Sequence, residues 1–209
     1  RAQTGATELG GSRFVRSGDR HGAPHAATLR LSNGDLLLVV GIGGGVAAAT
    51  FSLGLAAGAE VHVTSTDPAK LDWALANGAT GAYDSGGGFS YELADAAGRK
   101  ADVVVDSVGE ATWNQSMRSL APGGRLAVCG ATSGSKVELP LTVLFYKQLE
   151  IIGSTMFDHV DFAQVTEMVG SRRVTVPIDV VFPFDRLPDA LARLDEGDQM
   201  GKVVLRVPG

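Results

Sequence analysis

The chain has 209 residues, of which 44% are hydrophobic and 20% charged, and its formal net charge at pH 7 is −5. No basic stripe is evident, and this balance argues against a nucleic acid or an anionic membrane surface as a partner. No apolar run approaches the roughly 20 residues that a membrane-spanning helix needs. Residues 1–25 lack the apolar core of a secretory signal. The single cysteine, Cys129, excludes an internal disulfide and favours a reducing, cytoplasmic location.

The N-terminal quarter contains the strongest local pattern of the sequence. Residues 1–28 have almost no apolar periodicity, and we expect them to be poorly ordered. Residues 32–35 read Ser-Asn-Gly-Asp, which predicts a turn. Residues 36–40 are all apolar, which is typical of a strand buried on both faces of a parallel sheet. They lead into a glycine cluster at 41–45 and a helical pattern that we expect to end at Gly58.

Further along, short apolar or β-branched runs alternate with helical patterns through about residue 153. The predicted strands are 60–64, 81–83, 102–106, 125–129 and 149–153. The predicted helices are 68–77, 89–97, 110–120 and 141–147. The segments expected after them are helices at 160–169 and 187–194, extended pieces at 174–177 and 180–183, and a closing strand at 201–207. This alternation predicts an α/β fold, a doubly wound parallel sheet of Rossmann type with strand order 3-2-1-4-5-6.

The turn between the first strand and the first helix predicts an anion site. Unpaired N–H groups and the positive end of the helix dipole point at whatever lies above such a turn, and glycine lets a pyrophosphate approach. The spacing is G-x-x-G-x-x-A, with Gly41, Gly44 and Ala47, since a G-x-G-x-x-G pattern fails at Val46. Glycine-rich turns also close ordinary β–α units, so the pattern alone is a weak signal.

Several short segments, in their order and spacing, resemble the cofactor-binding half of a medium-chain dehydrogenase/reductase of the quinone oxidoreductase or zinc-type alcohol dehydrogenase-like kind. The resemblance covers about residues 31–209. It implies an oxidoreductase that transfers a hydride between a nicotinamide cofactor and a carbonyl, quinone or activated alkene. The segments that carry it are 34–35, 39–47, 63–71, 77–79, 102–109, 120–125, 130–132, 152–156 and 201–205.

The resemblance also implies which residues line the cofactor, all of them in turns that follow strands. The implied contacts are Gly41, Gly43, Gly44, Gly45 and Val46 at the pyrophosphate, Ser107, Val108 and Gly109 on the adenosine side, and Gly130, Ala131, Thr132, Ser154, Thr155 and Met156 at the ribose and nicotinamide.

The end of the second predicted strand bears on the choice of cofactor. An Asp or Glu there would bind the ribose hydroxyls of NAD, whereas Ser65 and Thr66 leave room for a 2′-phosphate and can donate hydrogen bonds to it. Lys70 would add positive charge, so we expect NADPH rather than NADH. The alternatives are that Lys70 is a solvated helix residue and that Asp67, beyond the strand, favours NAD instead of capping the next helix.

The resemblance divides the chain into three parts. Residues 1–28 are the expected poorly ordered segment, residues 29–157 the dinucleotide-binding domain, and residues 158–209 a C-terminal extension. In the family, a substrate domain precedes the cofactor half, and residues 1–28 cannot replace it. We therefore expect a truncated form that binds cofactor but turns over poorly, with exposed apolar surface at residues 180–182.

The zinc-dependent members of this family carry their metal ligands in that preceding domain. Here His21, His25, His62 and His159 show no ligand spacing, and Cys129 stands alone. We therefore expect a zinc-independent enzyme.

Three further positions leave alternatives open. Asp106 either touches the cofactor or caps the turn after its strand. Cys129 is either a reactive thiol or a buried small apolar residue. Phe145 and Tyr146, before the sixth predicted strand, contribute either to a homodimer edge or to the core of this chain.

No general acid can be assigned, so a function of a different class remains. The main alternative is a non-catalytic dinucleotide-binding module that acts as a sensor or as a subunit. A methyltransferase fits less well, because such enzymes usually place an acidic residue where Ser65 stands.

Overall fold

The computed structural model describes residues 30–155 and 159–208. Its main sheet consists of β1 (Leu36–Val40), β2 (Glu60–Ser65), β3 (Gly81–Asp84), β4 (Ala101–Asp106), β5 (Leu120–Val128) and β6 (Glu150–Gly153). All neighbouring strands are parallel, and their order is β3-β2-β1-β4-β5-β6. The predicted Rossmann order is therefore confirmed. The expectation of disorder for residues 1–28 lies outside the described residues.

Helices follow most strands, and a second, two-stranded parallel sheet lies near the C-terminus. The helices are α1 (Gly45–Ala56), α2 (Pro68–Ala76), α3 (Phe89–Ala97), α4 (Trp113–Ser119), α5 (Leu141–Tyr146), α6 (His159–Gly170) and α7 (Leu187–Glu196). The second sheet contains β7 (Ile178–Pro183) and β8 (Lys202–Arg206), with a 3-10 turn at Phe184–Arg186. No described helix combines the length and the apolarity that crossing a membrane would require.

Two predicted elements begin at clearly different residues. Helix α4 begins at Trp113 rather than at 110, because Asp106 and Gly109 hold the preceding residues in a turn. Strand β5 begins at Leu120 rather than at 125. Residues 174–177, predicted as an extended piece, lie outside the strands. Pro177 O accepts a hydrogen bond of 2.9 Å from Lys202 N of β8. The pairing of β7 with β8 begins at Ile178.

Strand β1 is apolar throughout because both of its faces are covered. Leu37 and Val39 belong to one core cluster, whereas Leu36, Leu38 and Val40 belong to the other. All five side chains are at most 1% exposed. Two-sided burial places β1 at the centre of the sheet, and its glycine-rich continuation therefore lies in the middle of one sheet edge.

The start of α2 is formed as the sequence predicts. Asp67 Oδ1 accepts a hydrogen bond of 2.9 Å from Ala69 N, and Pro68 is the first helical residue. Asp67 is therefore a helix cap.

The C-terminal part packs against the glycine-rich turn. Gly201 N donates to Gly43 O at 3.0 Å, and Met200 contacts the core cluster that contains Leu37. This contact brings the start of β8 to the first turn of α1. Farther along the same part, the expectation of exposed apolar surface at residues 180–182 holds for Val181, which is 41% exposed, whereas Val180 and Phe182 are half-buried.

Candidate functional site

The predicted site residues that the structure describes share one edge of the sheet. They follow β1, β2, β4, β5 and β6 or belong to the adjoining turns. Because these strands are parallel, their carboxyl ends meet at the edge where open α/β sheets bind ligands. Met156 lies outside the described residues.

The first turn of α1 is open to an anion. Gly44 precedes the helix and has no side chain with which to cap it, and residues 45–48, all described, include no acidic residue. Among the described residues, no hydrogen-bond acceptor serves the amides of Gly45, Val46 or Ala47. Free N–H groups at the positive end of a helix dipole suit a phosphate.

Two glycines of this turn differ in what they require. Gly43 has φ +134°, so its backbone favours glycine, and the flexible Lys70 side chain lies against it, with Cδ 2.8 Å from where a Cβ would stand. Gly44 has φ −71° and ψ 163°, which any residue adopts. A Cβ on Gly44 would meet no atom of the described chain within 4 Å. The space above Gly44 is thus not used by the chain's own packing, and the turn fits a dinucleotide's diphosphate.

Hydroxyl groups fix the turn to its neighbouring strands. Gly41 N donates to Thr64 Oγ1 at 3.1 Å, and Ile42 N donates to Thr64 O at 2.7 Å. Ser85 Oγ in turn donates a hydrogen bond of 2.8 Å to Thr64 Oγ1. Sequence reasoning did not identify Ser85, because only the pairing of β2 with β3 brings it to this turn.

The end of β2 is partly occupied by its own loop. Ser65 is 6% exposed, and its Oγ accepts a hydrogen bond of 3.0 Å from Asp67 N. Its hydroxyl hydrogen remains available for donation, and Thr66 is exposed. Lys70 is half-buried and donates from Nζ to Gly197 O at 2.7 Å. Lys70 is therefore not a freely solvated helix residue.

Asp106 organises the turn after β4. Its Oδ1 accepts from Val108 N at 2.8 Å and from Gly109 N at 3.0 Å. Its Oδ2 accepts from the hydroxyls of Thr112, at 2.8 Å, and Ser116, at 2.6 Å. The carboxylate is only 1% exposed. Asp106 therefore caps the turn after β4, which was one of the two roles expected for it.

The turns after β4 and β5 lie against each other. Ser133 Oγ donates to Val108 O at 2.8 Å and accepts from Ala111 N at 3.0 Å. A Cβ on Gly130 would lie 2.7 Å from Ser107 O. Ser133 was missed from the sequence because its role depends on this contact between loops. The remaining implied contacts are Ala131, Thr132 and Thr155, which are exposed, and Ser154, which is half-buried and donates from its backbone N to Val128 O at 2.9 Å.

Cys129 is half-buried rather than buried, and it packs against the core cluster that contains β1 residues. Burial, with a smaller effect of the Asp106 charge, raises the pKa of its thiol. The neutral thiol is therefore favoured near pH 7, and this supports a packing role over a reactive one.

The described residues contain no group of three or more His, Cys, Asp or Glu side chains placed to hold a metal ion. His62 is 2% exposed and lies in β2, where Nδ1 is 2.8 Å from Tyr83 Oη and Nε2 is 3.0 Å from Glu60 Oε1. His21 and His25 lie outside the described residues. Zinc independence stays a prediction.

Phe145 and Tyr146 do not belong to the core. They are 63% and 78% exposed on α5, which precedes the edge strand β6 in the chain. The interpretation of these two rings as core residues was wrong.

Comparison with known proteins identifies the family. The sequence matches the family described as "Zinc-binding dehydrogenase" over residues 45–171. It is 31% identical over 183 residues to zinc-type alcohol dehydrogenase-like protein C1773.06c of Schizosaccharomyces pombe, covering 83% of this chain and 52% of that protein. It is 26% identical over 179 residues to acryloyl-coenzyme A reductase of Sulfurisphaera tokodaii, covering 84% and 52% respectively.

Solved structures agree with this result. The crystal structure of an NAD-dependent alcohol dehydrogenase superimposes with a TM-score of 0.79 at 31% identity, covering 88% of this chain and 54% of that one. The chain spans about half the length of the curated relatives it matches. Its strand order, its glycine-rich turn and these matches together show that the chain belongs to the zinc-binding dehydrogenase family, within the medium-chain dehydrogenase/reductase superfamily.

Proposed function

We propose that the chain is the cofactor-binding part of an NADPH-dependent oxidoreductase that transfers a hydride between nicotinamide and a carbonyl, quinone or activated alkene. The observation that carries this proposal is the uncapped first turn of α1 with unused space above Gly44. The bound nicotinamide would supply the hydride. The chain's own residues would bind and orient the cofactor.

The proposed binding mode follows the edge of the sheet. The diphosphate would lie over residues 41–46, and the adenosine side would lie beside residues 107–109. The ribose and nicotinamide would lie along residues 130–132 and 154–156. The shared carboxyl edge of the strands supports this assignment.

The preference for NADPH is supported by the residues at the end of β2. Neither Ser65 nor Thr66 is acidic, so no carboxylate at these positions would repel a 2′-phosphate. Lys70 lies at the start of α2, four residues after Thr66, and would add positive charge near such a phosphate. NADH is the competing cofactor, because one similar solved structure is that of an NAD-dependent alcohol dehydrogenase.

Titration of the purified chain with both cofactors tests the preference. We expect NADPH to bind at least about tenfold more tightly than NADH, and Lys70→Met to reduce this ratio. Equal or tighter binding of NADH would remove the preference for NADPH but would leave dinucleotide binding intact.

The acceptor is proposed at the level of a chemical class. One relative is an acryloyl-coenzyme A reductase, which supports an activated alkene as hydride acceptor. Since this chain spans about half the length of such relatives, we propose that it binds cofactor but turns substrate over poorly by itself. Robust oxidation of NADPH by this chain with quinones or enones would contradict that proposal.

A non-catalytic dinucleotide-binding module, acting as a sensor or a subunit, is the second candidate. It is favoured by the engagement of Asp106 and Ser133 in loop contacts, which occupies two polar side chains beside the proposed cofactor site. Cofactor binding without turnover in the full-length protein would support it.

A homodimer and a cytoplasmic location complete the proposal. The exposed rings of Phe145 and Tyr146, shortly before edge strand β6 in the chain, support pairing of two chains at this edge. Light scattering after size-exclusion chromatography tests the pairing, with Tyr146→Ser expected to weaken it.

The proposed cytoplasmic location is supported by the single cysteine, which is typical of a reducing compartment.

A further inference from the structure

Lys147 and Lys100 meet at the amino ends of the strands, at the edge of the sheet opposite the proposed cofactor site. Lys147 directly follows α5, and Lys100 directly precedes β4. Lys147 Nζ donates a hydrogen bond of 3.2 Å to Leu120 O, and Lys100 Nζ donates one of 2.9 Å to Arg118 O. Because the two acceptors belong to residues two positions apart, the two amino groups lie close together at the end of α4.

The main chain holds Lys147 in this position. Its backbone N donates to Val143 O at 3.1 Å, and its carbonyl accepts a hydrogen bond of 2.7 Å from Gly123 N. The residue is half-buried, whereas Lys100 is exposed. Lys147 therefore presents its amine from a fixed and partly desolvated position, with the Lys100 ammonium beside it.

The pair has no carboxylate to balance it. Across residues 30–155 and 159–208, neither lysine takes part in a salt bridge. Burial, together with the positive charge of Lys100, lowers the pKa of the Lys147 ammonium. Near neutral pH, more of Lys147 is therefore neutral than of an ordinary lysine, and a neutral amine carries the free electron pair of a nucleophile.

A neutral amine beside an unbalanced ammonium suits carbon dioxide better than other electrophiles. Acetylation of a lysine leaves a neutral amide, and methylation leaves a cation. The addition of carbon dioxide instead leaves a carbamate anion, which an adjacent cation stabilises. The repulsion between two ammonium groups would thus be replaced by an ion pair between Lys100 and the new carboxylate.

We propose that Lys147 is a site of reversible carbamate formation with carbon dioxide, and that Lys100 stabilises the product. The electron pair of Nζ forms a bond to the carbon of CO2, one C–O π bond breaks and leaves its electrons on oxygen, and Nζ releases a proton to solvent. The carbamate nitrogen keeps one hydrogen for the bond to Leu120 O. This inference goes beyond the proposed function and does not rest on it, because the two sites lie at opposite edges of the sheet.

Chemical trapping of carbamates tests the proposal on the folded chain. The protein is equilibrated with isotopically labelled carbon dioxide near neutral pH and treated with triethyloxonium tetrafluoroborate, which converts a carbamate into a stable ethyl ester. Mass spectrometry of peptides then gives the trapped fraction at each lysine. We expect at least about threefold more trapping at Lys147 than at Lys136, an exposed lysine in the loop after β5.

Variants of the neighbouring lysine separate charge from structure. Lys100→Met removes the cation and should lower trapping at Lys147 by at least about twofold, whereas Lys100→Arg keeps the cation and should retain most of the trapping. Lys136→Met, the matched control, removes a positive charge elsewhere and should leave Lys147 unchanged. Raising the salt concentration from about 0.05 to about 0.5 M should also lower trapping in the unaltered chain, because salt screens the charge of Lys100. This measurement does not depend on the folding of any variant.

Three results would overturn the proposal. The first is trapping at Lys147 that is no greater than at Lys136. The second is equal trapping at Lys147 in the unaltered chain and in Lys100→Met. The third is an equal loss in Lys100→Met and Lys136→Met, because it would show a general effect of net charge. No step needs a dinucleotide, so these results stand whether or not the chain binds NADPH.

Discussion

Lys70 Nζ donates a hydrogen bond of 2.7 Å to Gly197 O, a residue 127 positions later in the chain. Gly197 is the left-handed residue that ends α7. The same lysine stem lies against Gly43 in the turn after β1. One side chain thus connects the C-terminal helix to the proposed phosphate site, and the site depends on residues from both ends of the described chain.

Gly44→Ala should separate ligand binding from stability. The backbone of Gly44 accommodates alanine, and the added Cβ would meet no described atom within 4 Å. We expect the free energy of unfolding to change by no more than about 1 kcal/mol, while NADPH affinity falls by about tenfold or more because the methyl group occupies the space above the turn. Calorimetry and urea unfolding measure the two quantities.

The matched control for this variant is Gly170→Ala at the end of α6, where a Cβ also has open space. It should leave both stability and affinity nearly unchanged. Unaltered NADPH affinity in Gly44→Ala would show that the diphosphate does not lie above this glycine.

Asp106→Ala should destabilise the fold. The buried carboxylate accepts four hydrogen bonds, two of them from the amides of Val108 and Gly109. Removing it leaves buried donors without a partner, and we expect a loss of about 3 kcal/mol in urea unfolding. Asp95→Ala, at an exposed position on α3, should cost less than about 0.5 kcal/mol. Similar losses in the two variants would contradict the capping role.

Tyr83→Phe should weaken the sheet without affecting the cofactor site. Tyr83 is 8% exposed, and its hydroxyl lies 2.8 Å from Nδ1 of buried His62. The variant leaves this nitrogen unpaired, which should cost about 1–3 kcal/mol. Tyr91→Phe, where the ring is 69% exposed, is the control and should be nearly neutral. A change in NADPH affinity in Tyr83→Phe would show that this cluster is coupled to the site.

Stability at acid pH should depend on the pair of Asp179 and Arg193. Hydrogen bonds from Arg193, at 2.8 and 3.1 Å, hold the pKa of Asp179 below its usual range. A lowered pKa in the folded state stabilises the fold above the unfolded pKa of about 3.9. This contribution is lost as the pH falls through the lower, folded pKa.

The comparison with Asp179→Asn measures that contribution. The variant should be less stable than the unaltered chain at pH 6, and the difference in unfolding free energy should shrink as the pH falls below about 4. A difference that stays constant between pH 6 and pH 3 would contradict a role for this ionised carboxylate.

The sequence predicted the main sheet because its signals are local. The uninterrupted apolar run at Leu36–Val40 reports burial on both faces, and Asp67 with Pro68 marks a helix start within three residues. The order of the strands then follows from alternation and right-handed crossovers. None of these inferences required knowledge of distant contacts.

The residues that sequence reasoning missed act through distant contacts. Ser85 reaches the turn after β1 only because β3 pairs with β2, and Ser133 acts only because two loops touch. Lys202 approaches Gly45 because the hydrogen bond from Gly201 N to Gly43 O holds the start of β8 beside the turn. Phe145 was ambiguous because an aromatic residue in a short helix fits a core and an interface equally well.

In the proposed function, a dinucleotide's diphosphate binds to the free amides at the start of α1. It is tested most directly by following the backbone amide resonances of the chain by NMR during titration with NADPH. We expect the amide resonances of Gly44, Gly45, Val46 and Ala47 to shift strongly and these amides to become protected from hydrogen exchange, while remote amides such as that of Gly170 stay unchanged. Saturable binding of NADPH that leaves these four amides unaffected would contradict it.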